Sequence, residues 1–471
     1  MGAPTADTIC AIATPVGEGG IGILRLSGEK AVEIASRLVR LRSGRSLGSV
    51  RSHQLYHADI LDGGVGDRAG PQALDESLVV VMRAPRSYTG EDVVEFHCHG
   101  GPWVLQTVGE ALVRNGARTA EPGEFTKRAF LNGRLDLTQA EAVLDTIRAR
   151  TSGALRLAQE QLRGTLSKEL DRMRDHLIRL LAHVEATIDF TEEDITFIAA
   201  DELTSGLERT MVEIAGLVES GREGRILREG VTAAIIGRPN VGKSSLLNAL
   251  LRTDRAIVTP IPGTTRDVLE EVLNIRGLAV RLLDTAGLHE TDDPVEREGV
   301  RRSQAAMDQA ELLLIVLDGS VPLTPEDREI VAGCPGKKRL LIVNKADLPR
   351  RIDLAEVSTG EKGERPVPEV HISARTGEGL DDLRDRIRTL MVRGDLEPGE
   401  RAVITRLRHE AALERAREAL ANALNSVRGG LPGEFVAMDL RAAIDGLGEI
   451  TGAASADDIL ERIFRDFCIG K

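Results

Sequence analysis

No stretch of this 471-residue chain is apolar for long enough to cross a bilayer, although 42% of the residues are hydrophobic, so those side chains are expected in ordinary cores. The first residues lack the basic-then-apolar pattern of a secretory signal. Cysteine is scarce. Cys10, Cys98, Cys334 and Cys468 lie far apart, and none forms a C-x-x-C pair. That spacing excludes a disulfide framework or a zinc site and fits reduced thiols in the cytoplasm. Positive charge is also short. The 61 Lys and Arg face 74 Asp and Glu, a net charge of −13, which argues against a whole-surface nucleic-acid coat but leaves room for a local basic patch. No internal repeat or low-complexity tract is present. The length suggests roughly two to four domains, with no membrane partner.

What the chain does have is centred on Gly237-Arg-Pro-Asn-Val-Gly242-Lys243-Ser244. An apolar run over 231–236 precedes it and a helix-spaced run over 245–251 follows. Strand, glycine loop and helix form the context a phosphate-binding loop requires. The glycines let the N–H groups of Asn240, Val241, Gly242, Lys243, Ser244 and Ser245 turn toward phosphate oxygens. Lys243 places a point charge at the β- and γ-phosphates, and the Ser244 hydroxyl suits magnesium. This pattern alone says only nucleoside triphosphate; three later stretches make it a GTPase. Asp284-Thr285-Ala286-Gly287 ends an apolar strand, where an acid can hold magnesium through water and a glycine N–H can sense the γ-phosphate. Asn344-Lys345-Ala346-Asp347 ends another strand. The Asp347 carboxylate can accept two N–H bonds from guanine, a donor pair that adenine lacks. Ser373-Ala374-Arg375 follows a short strand and can close over the base.

Upstream, residues 8–14 alternate like a strand. Gly17–Gly22 formally matches G-x-G-x-x-G, but that fingerprint needs a helix straight after it. Residues 23–26 read as another strand and a helix comes only over 31–41, so a hairpin-like loop is expected. Strands over 78–82 and 92–97 and a helix over 102–115 complete a mixed α+β domain. His97 and His99 share a strand face without an evident third ligand, which favours a structural or substrate-lining role over a metal site. Residues 121–136 are dense in charge, turn formers and aromatics. They read either as a domain-edge loop leading into a helix or, because acids and bases converge there, as a small-molecule site.

From Thr138 the pattern is helical. Leu162, Leu166, Leu170, Met173, Leu177, Leu180 and Val184 predict one buried stripe, with a solvated charged face opposite. Residues 189–194 break it. A second helix turns Leu203, Leu207, Met211, Ile214 and Val218 inward, and residues 221–230 hand over to the GTPase strand. Gly360-Glu-Lys-Gly363 matches an RNA-binding G-x-x-G loop but reads as a surface loop. Helices are expected over 403–427 and 435–447. A last helix is capped by Ser455 and turns Ile459, Ile463, Phe464 and Phe467 inward. The fold class is multidomain α/β. An α+β domain spans 1–130, and an all-α helical domain is made from 131–227 and 394–471. A Ras-like P-loop GTPase over 228–393 is inserted into it.

Where Ras-like enzymes carry a water-positioning glutamine, this chain has Leu288. Glu290, Asp292, Asp293, Glu296 and Glu298 follow as polar candidates, and Arg266 is the nearest arginine. A monovalent cation is an alternative positive charge. Asn240 and the carbonyls of Thr259, Pro260, Ile261, Pro262, Gly263 and Thr264 suit an oxygen cage, against a simple loop-stabilising role for Asn240.

The chain resembles the tRNA-modifying GTPase MnmE (TrmE) family over essentially its full length. The resemblance is carried by Ala13-Thr-Pro, Gly17–Gly22, Gly90-Glu-Asp, His99-Gly-Gly, residues 121–136, the GTPase motifs, Gly263-Thr-Thr-Arg-Asp267 and the terminal Phe467-Cys468-Ile-Gly-Lys471. It implies a homodimer joined through an aminomethyltransferase-like N-terminal domain. A tetrahydrofolate one-carbon donor of 5-formyl or 5,10-methylene type would bind near Arg25, Glu95 and Arg134, with Lys471 close. Arg134 replaces a lysine of some relatives, which keeps charge but alters geometry. Cys468 matches a C-terminal cysteine suspected in the modification chemistry; filling space beside the folate is the other reading. The family holds potassium by Asn240 and groups of Thr259, Ile261 and Thr264, sets Thr265 on magnesium, and assigns Glu296 to orienting water. The reaction implied adds an aminomethyl or carboxymethylaminomethyl group at C5 of the wobble uridine of certain tRNAs. It is carried out in a heterotetramer with the flavoprotein MnmG (GidA). A ribosome-assembly switch of the Era or Der kind is the alternative, but a second phosphate loop or a basic C-terminal domain is missing.

Overall fold

Alternating burial draws the first hundred residues into strands that pair mostly with sequence neighbours. The structure, a computed structural model, describes residues 7–15, 17–62, 72–189, 200–255, 271–283, 307–333, 336–355, 357, 366–392, 402–454 and 457–471. Its contacts group the chain into two compact units, 1–144 with 445–471, and 145–444. This grouping places 131–144 and 445–471, parts of the two sequence-based helical blocks 131–227 and 394–471, with the first unit.

In the first unit, β1 (Ile9–Ile12), β2 (Gly19–Ser27), α1 (Ala31–Leu38), β3 (Val39–Leu41), β4 (Leu55–Leu61), β5 (Ala73–Met82), β6 (Val93–Gly100), α2 (Pro102–Arg114), β7 (Arg118–Thr119), α3 (Glu124–Leu131) and α4 (Leu137–Arg148) follow one another. The sheet order is β3-β4-β5-β6-β2-β1-β7. Leu24, Leu26, Val79, Val81, Val94 and Phe96 bury one face beneath Ile34, Leu38, Val108 and Leu112 of α1 and α2. The glycine run closes a β1–β2 hairpin, with Ala11 opposite Arg25, and its last glycines lie within β2. A Cβ on Gly22 would sit 2.5 Å from Leu105 Cδ1, so that glycine lets α2 approach the sheet. The expected helix over 31–41 stops at Leu38. Val39 instead pairs with Ile60 of β4, a strand missed in the sequence, and that pairing overrides the local helical pattern.

The second unit holds α5 (Ser152–Leu162), α6 (Thr165–Asp189), α7 (Ala200–Glu229), β8 (Val231–Ile236), α8 (Lys243–Asp254), β9 (Glu271–Ile275), β10 (Leu278–Leu282), β11 (Leu312–Asp318), α9 (Pro325–Ala332), β12 (Lys338–Asn344), β13 (Glu369–His371), α10 (Leu380–Met391) and α11 (Leu407–Arg428). The stripe expected as one helix is split. Gly164, at φ 77°, separates Leu162 on α5 from Leu166 to Val184 on α6, all buried from Leu166 onward. On α7 the expected Leu203, Leu207 and Ile214 are buried, with Thr210 and Leu217 among the others beside them; Met211 and Val218 are only half-buried. Residues 221–229 remain helical rather than forming a connector. Gly221 and Gly224 sit against Ile404, and a Cβ on Gly224 would lie 2.1 Å from the Ile404 carbonyl oxygen.

The six strands of this unit run β13-β12-β11-β8-β10-β9, parallel except for β9 with β10. β11 is buried along its whole length, as a central strand covered on both faces must be. α12 (Gly433–Thr451) follows α11, and α13 (Asp457–Arg465) ends the chain's helices. Within the first unit, Leu460, Phe464 and Phe467 bury against Leu137, Ala140 and Leu144. Ser455 and the Gly360–Gly363 motif lie outside the described residues.

Candidate functional site

The loop between β8 and α8 sits at the carboxyl end of a central parallel strand, the usual ligand edge of an open α/β sheet. Gly242 caps α8 at φ 101°, and a Cβ there would lie 2.2 Å from Asn344 Nδ2, so only glycine fits. Lys243 Nζ donates to the carbonyls of Gly237 at 2.8 Å and Arg238 at 2.9 Å. Burial lowers the Lys243 pKa, while the Glu326 carboxylate opposes it. α8 begins at Lys243, so the loop meets a helix N-terminus, whose dipole suits an anion.

The segments Asn344–Asp347 and Ser373–Arg375 converge on this loop. Asn344 Nδ2 donates to the Val241 carbonyl at 2.9 Å, and Asn344 Oδ1 accepts from the Ala374 N–H at 3.0 Å. Ala346 N–H donates to the Ile372 carbonyl at 2.9 Å. The Ser373 hydroxyl donates to Asp347 Oδ1 at 2.6 Å, and Arg375 pairs with Asp347 Oδ2 at 2.7 Å. The Ser373 bond chiefly holds the Asp347 carboxyl below its ordinary range; burial opposes this and Arg375 assists it. A cavity of about 840 Å³ joins Asn240, Gly242, Lys243, Ser244 and Ser245 to Asn344, Lys345, Asp347, Ala374 and Arg375. That volume falls within the range of small-molecule sites. Asn248, Arg252 and Leu348 also line it. Sequence reading missed them; the signal available was i+4 and i+8 spacing from Ser244 along α8 for Asn248 and Arg252, and adjacency to Asp347 for Leu348. Thr259, Pro260, Ile261, Pro262, Gly263, Thr264, Thr265, Asp284, Thr285, Ala286, Gly287 and Glu296 lie outside the described residues. The donors in view, a Ser244 hydroxyl and an Asn240 amide on the cavity wall, are hard oxygen ligands that suit magnesium and potassium.

A second cluster forms in the first unit. Arg25 on β2 lies opposite Glu95 on β6, and the two pair at 2.8 Å with both side chains largely buried. The Arg25 guanidinium carbon lies 5.2 Å from the Tyr88 ring centroid and 5.7 Å from that of Phe125. Its Nη1 donates to the Gly470 carbonyl at 3.4 Å, so the chain's last residues close on this cluster. Burial lowers the Lys471 pKa, Arg25 adds to that, and Glu95 opposes it. Arg134 is held at the neighbouring turn, where its Nε donates to the Ser87 carbonyl at 3.1 Å. Cys468 is exposed. By contrast, burial pushes the Cys10 and Cys98 thiols up to about 11.

His97 and His99 do share a face. His99 Nδ1 pairs with Asp75 Oδ1 at 2.6 Å and His97 lies 3.5 Å from Glu95 Oε2, and no group of three metal-ligating side chains exists among the described residues. Much of the charge gathered over 121–136 is spent internally: Arg128 is buried between Asp7, Glu91 and Glu124.

Residues 137–468 match the model of the MnmE helical domain, and residues 8–134 match that of the GTP-binding protein TrmE N-terminus. The tRNA modification GTPase MnmE of Geobacillus kaustophilus is 48% identical over 470 residues, covering 99% of both chains. The chain belongs to the MnmE (TrmE) family. The MnmE proteins of Symbiobacterium thermophilum, 48% identical with 99% of each chain covered, and Natranaerobius thermophilus, 45% identical with 99% and 100% covered, agree. Both are tRNA modification GTPases by name, and an MnmE-family GTPase requires the P-loop, base-reading motifs and cavity described above. Partial likenesses to solved structures also exist. Aquifex aeolicus Era bound to GDP and aluminium fluoride is 29% identical, with a TM-score of 0.26 over 40% of this chain and 66% of that one. The G domain of T. maritima FeoB is 26% identical, with a TM-score of 0.25 over 34% and 98%. Scores this low add nothing to the family assignment.

Proposed function

We propose that the chain is a potassium-activated GTPase that works with the flavoprotein MnmG (GidA) on tRNA. Together they add an aminomethyl or carboxymethylaminomethyl group at C5 of the wobble uridine, with a tetrahydrofolate one-carbon unit as donor. The observation that carries the GTPase part is one cavity bounded by Lys243 at one end and Asp347 at the other. Lys243 and the N–H groups of the P-loop bind the phosphates, and Asp347 reads guanine while Ser373 and Asn344 hold the loops that face it. Ser244 with Thr265 would hold magnesium, and Asn240 with Thr259, Ile261 and Thr264 would hold potassium. Bound there, the two ions neutralise charge developing on the transferred phosphoryl group. Glu296 orients the attacking water in place of the glutamine that Leu288 replaces.

The folate part is supported by the Arg25–Glu95 pair, the Tyr88 and Phe125 rings beside it, and Arg134 and Lys471 close by. An aromatic wall with convergent basic groups suits a flat pterin carrying an anionic tail. In this reading the N-terminal domain also joins two chains into a cytoplasmic homodimer, and the helical blocks over 131–227 and 394–471 carry the inserted GTPase over 228–393. The direct test is mass spectrometry of tRNA nucleosides from cells lacking the protein. Loss of the C5-modified wobble uridine, restored by wild type and not by Lys243→Ala, is expected; an unchanged nucleoside profile refutes the reading. GTP turnover should be faster in potassium than in sodium, and equal rates would remove the cation.

A further inference from the structure

Asp318 belongs to none of the nucleotide motifs and does not line the cavity. It is the last residue of the central strand β11 and is 8% exposed. Its Oδ2 accepts from Lys345 Nζ at 2.6 Å. Its Oδ1 accepts from the Ser320 N–H at 2.9 Å and the Ser320 hydroxyl at 2.6 Å. The strand end is itself braced, because the Gly319 N–H donates to the Asn344 carbonyl at 2.9 Å. The same Lys345 ammonium donates to the Asn240 carbonyl of the P-loop at 3.1 Å. Asn240 and Lys345 are both non-glycine residues in the left-handed region, at φ 62° and 66°. Such residues persist only where the surroundings over-determine them. One ammonium therefore ties together the two strained points of the site, and one buried carboxylate fixes that ammonium.

We infer that Asp318 is a positioning residue for guanine nucleotide: through Lys345 it holds the P-loop at Asn240 and the base-reading loop at a fixed separation. Lysine is a flexible, strongly hydrated cation, and this one is about one-third exposed. Without a charged anchor its ammonium returns to solvent and the strut is lost. The parallel link, Asn344 to the Val241 carbonyl, is neutral and does not replace it. Burial raises the Asp318 pKa, but Lys345 and the two Ser320 donors outweigh it and the net shift is downward, so the carboxylate stays charged at neutral pH. The inference rests on the guanine-nucleotide reading of the cavity.

The test is equilibrium and stopped-flow binding of a fluorescent GDP to the full-length protein, with GTP turnover and thermal melting alongside. Asp318→Asn keeps the shape and the strand end but removes the charge. Its dissociation constant is expected to rise about tenfold through faster release, with turnover at saturating GTP changed by less than about threefold and a near wild-type melt. Lys345→Gln should lose affinity similarly, and the double variant should be no worse than either alone. Wild-type affinity in Asp318→Asn, or losses that multiply in the double variant, overturns the inference. If Asp318→Asn does not fold, Ser320→Ala, which removes one donor to Asp318, should weaken binding about two- to threefold; unchanged affinity there overturns it equally. A wild-type protein that binds no GDP would instead sink the nucleotide reading itself.

Discussion

In the proposed function Asp347 carries the base preference through the direction of its hydrogen bonds. A carboxylate accepts the two N–H groups of guanine, whereas an amide would turn a donor toward one of them. Asp347→Asn should therefore weaken GTP about a hundredfold and favour xanthosine triphosphate, which offers an acceptor there; competition binding against both nucleotides decides it. His99 offers a second residue-level test. Its bond to Asp75 raises its pKa. For Asp75, burial pushes the pKa up, but His99 and Ser77 outweigh it and the net shift is downward. The imidazolium's contribution to stability is thus full below its unfolded value of about 6.5 and is lost as pH rises through the folded value. The Asp75 contribution is lost at the acid end, as pH falls through its depressed folded value. His99→Gln should melt below wild type at about pH 5.5 and with it at about pH 9. An equal deficit at both pH values would show packing rather than charge. Asp347 was readable in the sequence because its motif is local; the Asp75 partner of His99 was not, since it comes from the neighbouring strand.

Helices and strands were legible where an apolar run or an apolar face was bounded by glycine or proline signals. The run over 231–236 and the helix over 102–114 fall where expected. The errors came where a neighbour changed the local outcome. Val39 leaves the helical pattern to pair with β4, and Gly221 and Gly224 stay within α7 because they admit the backbone near Ile404. Gly224→Ala tests this at the scale of the helix. Alanine favours the helix by about 1 kcal/mol, but its Cβ would meet the Ile404 carbonyl oxygen at 2.1 Å, backbone that cannot swing aside. Overpacking against fixed backbone belongs at the upper end of the usual cost, about 3 kcal/mol, so urea denaturation should show a net loss of about 2 kcal/mol. A stabilised variant would mean that the contact gives way freely.

For the whole molecule, the last fifteen residues belong energetically with the first 144. Phe464 and Phe467 fill the core beside Leu137 and Leu144, a Cβ on Gly123 would lie 2.6 Å from the Phe464 carbonyl oxygen, and Gly470 reaches Arg25. Removing residues 457–471 should destabilise the first unit by several kcal/mol, since burying each large apolar side chain contributes about 2–3 kcal/mol. GDP binding in the second unit should survive. Differential scanning calorimetry of the truncated chain, with and without GDP, checks this: loss of GDP-dependent stabilisation would contradict it. Nothing in the local sequence announced that partnership, because helical spacing marks which face is apolar and not what covers it.

Read along the chain, the residues alone carried the GTPase motifs, the strand–loop–helix context around Gly237–Ser244, the fold class and the family. Each of these is written in short, contiguous patterns whose chemistry depends on spacing along the chain. Three contacts emerged only in the folded chain: Asp318 anchors Lys345, Asp75 holds His99, and Phe464 packs beside Leu137 and Leu144. Those contacts join residues from tens to hundreds of positions apart. Their energy comes from burial and charge pairing that exist only once the sheets have formed, so no local pattern encodes them.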